Sequence, residues 1–103
     1  TIDHLAAFRP SAGLHVTSGA HAGKTVAFEE RALVGSAPQA TLELAGLAYE
    51  LEIVRHQGAY FVRDLSGGRT FKSGVPLGPD YSPLSHGELL LVSAGALLRF
   101  EEA

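Results

Sequence analysis

Residues 49–65 read YELEIVRHQGAYFVRDL. Tyr49, Leu51 and Ile53 alternate with Glu50 and Glu52, the period-two spacing of a strand with one apolar side. Gln57–Gly58 is a two-residue connection into Ala59–Tyr60–Phe61–Val62–Arg63–Asp64, and two such runs so joined read as a β-hairpin. Leu47, Leu51 and Val54 also recur at i, i+4, i+7, which is helical spacing. Gly46 and Gly58 bracket that stretch too closely for a long helix, so two strands are expected, at about 41–44 and 49–55. The alternation places Glu50 and Glu52 together on the solvent side, with Arg63 able to pair with Glu52 across the hairpin. Tyr49 and Tyr60, as strand residues, are expected in or near the core.

Outward from the hairpin the chain keeps the same texture. Leu14 and Val16 alternate with His15 and Thr17, SGAHAG turns the chain, and Thr25–Phe28 starts again. Ala32–Leu33–Val34 stops at Gly35, and 36–40 is loop. After Leu65, SGGRT is a glycine-paired loop. Phe71–Leu77 is an extended piece broken at Ser73–Gly74 and Pro76, and 78–87 (GPDYSPLSHG) is a polar loop. Glu88–Val92 and Ala96–Phe100 are the last apolar runs. These are about ten short runs at a spacing of about ten residues, which marks an all-β sandwich or small barrel. Residues 1–11 show no sustained period and read as a leader or linker. Residues 12–103 read as one domain.

The composition agrees and excludes much else. A chain of 103 residues with 46% hydrophobic residues fits one small core. Cys is absent, so there is no disulfide framework, thiolate nucleophile or Cys-ligated metal. A formal net charge of −3 counts against a backbone-reading nucleic-acid binder. No apolar run is long enough to span a bilayer, so direct membrane insertion is not expected. A chain beginning at Thr1 is expected to be part of something longer.

Candidate sites are sparse. His4, His15, His21, His56 and His86 are scattered, and none forms an H-x-x-x-H pair; His15 and His21 flank one turn and could meet across it. Ser66, Asp64 and His86 have the residue types of a hydrolytic triad but no nucleophile elbow. Gly67–Gly68–Arg69–Thr70 lacks the spacing and Lys of a nucleotide loop. No enzyme, metal or cofactor is expected. Tyr81, between prolines in the 78–87 loop, is the candidate interaction anchor, since Tyr offers contact area with a polar tip.

The order of these features resembles the forkhead-associated (FHA) domain family. Leu14–His15–Val16 opens the resemblance. Leu33–Val34–Gly35 matches the strand that ends in the Gly of the family's Gly-Arg. Gly58–Leu65 resembles the family's G-x-Y-x-V-x-D-L. Thr70 stands where the family has Asn-Gly-Thr, and Ser73–Gly74 where it has Asn-Gly. Leu84 and Gly87–Glu88 resemble its ending. The resemblance implies a β-sandwich of about ten to eleven short, mostly antiparallel strands, with loops near 35–40, 45–48, 66–74 and 78–87 clustered as a peptide-binding end. The equivalents of a phosphothreonine site are then Gly35, Ser36, Arg69, Thr70, Ser73 and Gly74.

The departures bear on function. Ser36 replaces the family's Arg, and the family's Ser-x-x-His falls on Leu47 to Glu50. Ser73 replaces an Asn. A dianionic phosphate needs several converging donors, preferably charged. Arg69, Lys72 and Arg55 are the cations that could stand in, while Glu50 adds negative charge. The expected function is therefore a non-catalytic protein-interaction module, phosphorylation-independent, inside a larger bacterial regulatory, secretion or membrane-associated protein. The alternative is a divergent phosphothreonine-peptide reader using Arg69, Thr70 and Ser36. The expected partner is a protein or peptide, with self-association or assembly into a larger complex as further routes. The expected location is the cytoplasm, as a free or membrane-anchored soluble domain.

Overall fold

The computed structural model describes residues 12–102, so the expected leader over 1–11 lies outside the described residues. The chain forms eleven strands: β1 (Ala12–Ser18), β2 (Thr25–Phe28), β3 (Arg31–Gly35), β4 (Leu42–Glu43), β5 (Leu51–His56), β6 (Ala59–Asp64), β7 (Phe71–Lys72), β8 (Val75–Pro76), β9 (Ser82–Leu84), β10 (Leu89–Leu91) and β11 (Leu97–Glu102). They build a six-stranded sheet in the order β2-β1-β11-β10-β7-β8 and a five-stranded sheet in the order β4-β3-β5-β6-β9. The β3–β4 pair is parallel and the other pairs are antiparallel. Among the described residues no helix is long and apolar enough to cross a membrane.

The hairpin read first from the sequence is the middle of the five-stranded sheet. β5 and β6 pair in unbroken register from Leu51↔Asp64 to His56↔Ala59. Gln57 (φ 51°) and Gly58 (φ 80°) both take left-handed backbone, the twist that a two-residue hairpin turn needs. The first and last strands lie side by side inside the other sheet, pairing from Ala12↔Glu102 to Val16↔Leu98. Alternation then fills the space between the sheets. Leu14 and Val16 of β1, Val34 of β3, Leu51 and Ile53 of β5, Val62 of β6, and Leu98 and Phe100 of β11 are wholly buried. Each such side chain contributes roughly 1.5–3 kcal/mol by leaving water. Phe28, Tyr60 and Phe100 form an aromatic cluster with centroids 5.1–6.3 Å apart, and the Tyr60 hydroxyl donates to the Glu29 carbonyl at 2.9 Å.

Three expectations need correction. Glu50 and Glu52 are not on a wet face: their exposures are 0% and 4%. Glu52 does point away from the core, but Arg31, Arg63 and Tyr81 close over its carboxylate. Glu50 precedes β5, escapes the alternation, and turns its carboxyl to Ser93. For the same reason Tyr49 is 42% exposed rather than in or near the core, since the strand starts at Leu51. Finally, 78–87 is not one loop. Ser82–Leu84 becomes β9 at the edge of the five-stranded sheet, a position where Pro83 costs no ladder bond inside the sheet.

Gly35 ends β3 for a steric reason. A Cβ there would lie 2.0 Å from the Ala48 carbonyl oxygen and 3.0 Å from Tyr49 Cα. That close approach lets Ser36 N–H reach the Leu47 carbonyl at 2.9 Å and Ala37 N–H reach that of Ala48 at 3.2 Å. Gly35→Ala must push residues 47–49 off the strand end, and overpacking of this kind costs roughly 1–3 kcal/mol. The expected outcome is a lowered urea midpoint with unchanged slope. An unchanged midpoint would show that the approach is not tight.

Candidate functional site at the loop end

Three segments meet at one end of the sandwich: 36–41, 44–50 and 65–70. Glu50 gathers them. Its N–H donates to the Val34 carbonyl at 2.7 Å, and its own carbonyl accepts from Leu65 N–H at 2.9 Å. Its carboxyl accepts from Ser93 N–H at 3.0 Å and Ser93 Oγ at 2.6 Å, which brings in the β10–β11 turn of the opposite sheet.

The 65–70 loop is shaped by Asp64. Its carboxylate accepts from Ser66 N–H (2.9 Å), Ser66 Oγ, Gly68 N–H (2.6 Å) and Thr70 Oγ1 (2.7 Å). Gly67 and Gly68 supply the left-handed backbone that lets the chain curl around it (φ 79° and 98°). Ser66 Oγ accepts from Arg69 N–H at 2.8 Å, so the loop presents Arg69 from a fixed backbone. Burial opposes ionisation of Asp64, but the donors from Ser66, Thr70 and Gly68 outweigh it and hold the carboxyl below the ordinary aspartate value.

The expected site residues separate into groups. Gly35 and Ser36 sit against the 44–50 loop, where Ser36 Oγ donates to the Gly46 carbonyl at 3.1 Å. Thr70 is wholly buried and its hydroxyl is given to Asp64. Arg69 is exposed, and its guanidinium has no partner among the described residues. No hydrogen bond joins Ser36 to Arg69 or Thr70 among the described residues. Ser73 and Gly74 are elsewhere: they form the β7–β8 turn, and Ser73 bonds to the Leu89 carbonyl (2.8 Å) and Glu88 (3.2 Å). The other stand-in cations are also committed. Lys72 Nζ reaches Ser82 Oγ and the Pro83 carbonyl, and Arg55 pairs with Glu30 at 3.4 Å. His15 and His21 do not meet; they bond to Thr25 Oγ1 (3.0 Å) and Ala45 N–H (3.5 Å). His86 lies by Glu102, apart from Ser66 and Asp64.

A second polar cluster lies on the outer face of the five-stranded sheet. Glu52 receives Arg63 Nε at 2.8 Å, Arg31 Nε, and the Tyr81 hydroxyl at 2.7 Å. The Arg63 guanidinium also sits 5.0 Å from the Tyr81 ring centroid, a cation–π distance. Burial works against the Glu52 charge, yet the bonds from Tyr81, Arg31 and Arg63 keep its carboxyl below the ordinary glutamate value. The Tyr81 hydroxyl, donated to Glu52, is raised in turn. The Glu52–Arg63 pair was legible from the hairpin. Arg31 and Tyr81 were not, because they arrive through the β3–β5 pairing and the approach to β9.

Asp64 yields a test with a definite sign. Its lowered folded pKa contributes stability that is present above the unfolded value and lost as pH falls through the folded one. Asp64→Asn replaces one of the two oxygens that share four donors by an NH2 group that cannot accept, so it should cost roughly 1–3 kcal/mol at neutral pH. The gap from the native chain should begin to shrink below about pH 4, where the unfolded carboxylate takes up its proton, and close only as the native carboxyl, held lower, is protonated too. Urea midpoints across the acid range measure this. A gap that stays constant would remove the ionised Asp64 from the account.

No sequence-family profile matches the chain, and no curated protein matches it. Its fold has close counterparts. The solution structure of the FHA domain of an Arabidopsis thaliana hypothetical protein superposes with a TM-score of 0.82 at 18% identity, covering 92% of this chain and 87% of that one. The FHA domain of the CT664 protein from Chlamydia trachomatis gives 0.75 at 21% identity, covering 90% and 98%. An FHA domain from a structural and functional analysis of phosphothreonine-dependent interactions gives 0.75 at 19% identity, covering 90% and 97%. Eleven strands in this order, in two sheets joined at a loop end built on Gly35, Glu50 and Asp64, make the chain an FHA-like domain in its fold.

Proposed function

We propose that the chain is a non-catalytic protein-interaction module that binds its partner without phosphorylation, within a larger bacterial regulatory, secretion or membrane-associated protein in the cytoplasm. The observation that carries this reading is the charge at the loop end. Segments 36–41, 44–50 and 65–70 contain one cation, Arg69, and one carboxyl, Glu50, which is wholly buried and bonded to Ser93. Ser36 and Thr70 have already given their hydroxyl hydrogens to Gly46 and Asp64. A phosphate dianion stripped of water needs several charge-assisted donors at once. One guanidinium alone does not supply them.

Arg69 favours one second reading, a divergent phosphothreonine reader, because its guanidinium is exposed and has no partner among the described residues. Calorimetric titration separates the two. Phosphothreonine peptides and their unphosphorylated twins should bind with equal affinity or equally fail to bind. Micromolar binding that needs the phosphate, and that Arg69→Gln abolishes, would overturn the proposal and install the second reading.

A further inference from the structure

The outer face of the five-stranded sheet departs from the polar surface usual for the solvated side of a sandwich. Leu33 is only 5% exposed there, and Val54 and Phe61 are half-buried. Two hollows flank the Glu52 cluster. One, of about 480 Å³, is lined by Val54, Arg55, His56, Phe61 and Tyr81. The other, of about 430 Å³, is lined by Arg31, Leu33, Gln39, Tyr49 and Leu65. Arg31 borders one hollow and Tyr81 the other, and both are bonded to Glu52.

The manner of that bonding matters. Arg31 and Arg63 each engage Glu52 through Nε. Their terminal Nη groups have no hydrogen-bond partner among the described residues, although the Arg63 guanidinium lies over the Tyr81 ring. Glu52, itself 4% exposed, thus fixes two guanidinium stems while leaving the outer N–H donors of both without a hydrogen bond. Two cations on one carboxylate leave a local charge of +1, in a chain whose formal net charge is −3. A planar fork already held in place loses little freedom when it accepts a carboxylate.

Resting on the reading of the chain as a protein-interaction module, we infer that this sheet face, reaching at one edge to Gln39, Tyr49 and Leu65 of the loop segments, is a docking surface for an unphosphorylated acidic peptide. A Glu or Asp carboxylate of the partner takes the outer N–H donors of Arg31 and Arg63. Large apolar side chains on either side of it enter the two hollows. Charge complementarity selects this partner: a basic peptide would meet the two guanidinium groups, and a wholly apolar one would leave them desolvated without a partner.

The test uses two pools of short, capped, unphosphorylated peptides. In one, a central Glu or Asp is flanked by Phe, Leu or Val; in the other, Lys replaces the acid. Fluorescence anisotropy should show the acidic pool binding at least about tenfold more tightly, with affinity falling as salt rises. The NMR signals of the arginine Nε–H groups should shift for Arg31 and Arg63. Phe61→Ala should weaken binding, since it empties a hollow wall without touching Glu52. The double variant Arg31→Lys, Arg63→Lys should weaken it several-fold, because an ammonium can still pair with Glu52 but offers no outward fork. A thermal melt confirms that each variant is folded. Arg69→Gln should have no effect. Equal binding of the Lys pool, no binding by either pool, or shifts confined to 35–36 and 66–70 would each overturn the inference. Its failure is distinct from failure of the phosphorylation-independent reading, which depends on the phosphothreonine titration alone.

Discussion

The loop end of this domain depends on the burial of Glu50. Its backbone ties β3 to the start of the 65–70 segment, and its carboxyl ties both to the Ser93 turn of the opposite sheet. A sandwich is held through its middle by apolar contact, which is strong but carries no direction. Its loops need directional bonds to keep one arrangement, and a buried carboxyl with two donors on one residue supplies them. Gly35 makes the arrangement possible by leaving space for the Ala48 carbonyl, and Gly46 approaches Glu50 so closely that a Cβ would lie 3.2 Å from Oε2.

How much of this was legible in the sequence follows from the range of each interaction. The β5–β6 hairpin was legible apart from where β5 begins, since Gln57–Gly58 and the alternation on both sides are local signals and the register follows from the turn. The sandwich of about eleven strands came through the FHA resemblance, and the strand order within its two sheets was not read from the sequence. The burial of Glu50 and Glu52 was not legible. Alternation reports which side of a strand a residue takes, but not what lies above that side, and Arg31 and Tyr81 come from 21 and 29 residues away. Tyr49 was misplaced by two residues of strand boundary, which is enough to turn a strand residue into an exposed one. Ser73–Gly74 matched a family dipeptide, yet its turn bonds to Glu88 and Leu89, so the match marks a framework turn here.

The two buried glutamates show how one strand entry divides two tasks. Glu50 and Glu52 flank Leu51, whose side chain fills the core. Glu50 has only neutral donors around its carboxyl and acts on the loops. Glu52 has two guanidinium groups and a phenol and acts on the sheet face. Burying a carboxylate is unfavourable unless such partners compensate, and surplus cation is what remains when one carboxylate takes two arginines.

That surplus is why the sheet face, more than the loops, has the physical character of a recognition surface. At the loop end nearly every hydroxyl and carboxyl oxygen is consumed internally: Ser36 by Gly46, Thr70 by Asp64, Ser93 by Glu50. Rigid and self-satisfied loops gain little from a ligand, because each new bond would replace one already made. On the sheet face the position is reversed. The stems of Arg31 and Arg63 are fixed, their outer donors are open to solvent, and the apolar hollows beside them release water on being filled. One buried carboxylate that holds two arginines in place is what sets this face apart from the loops.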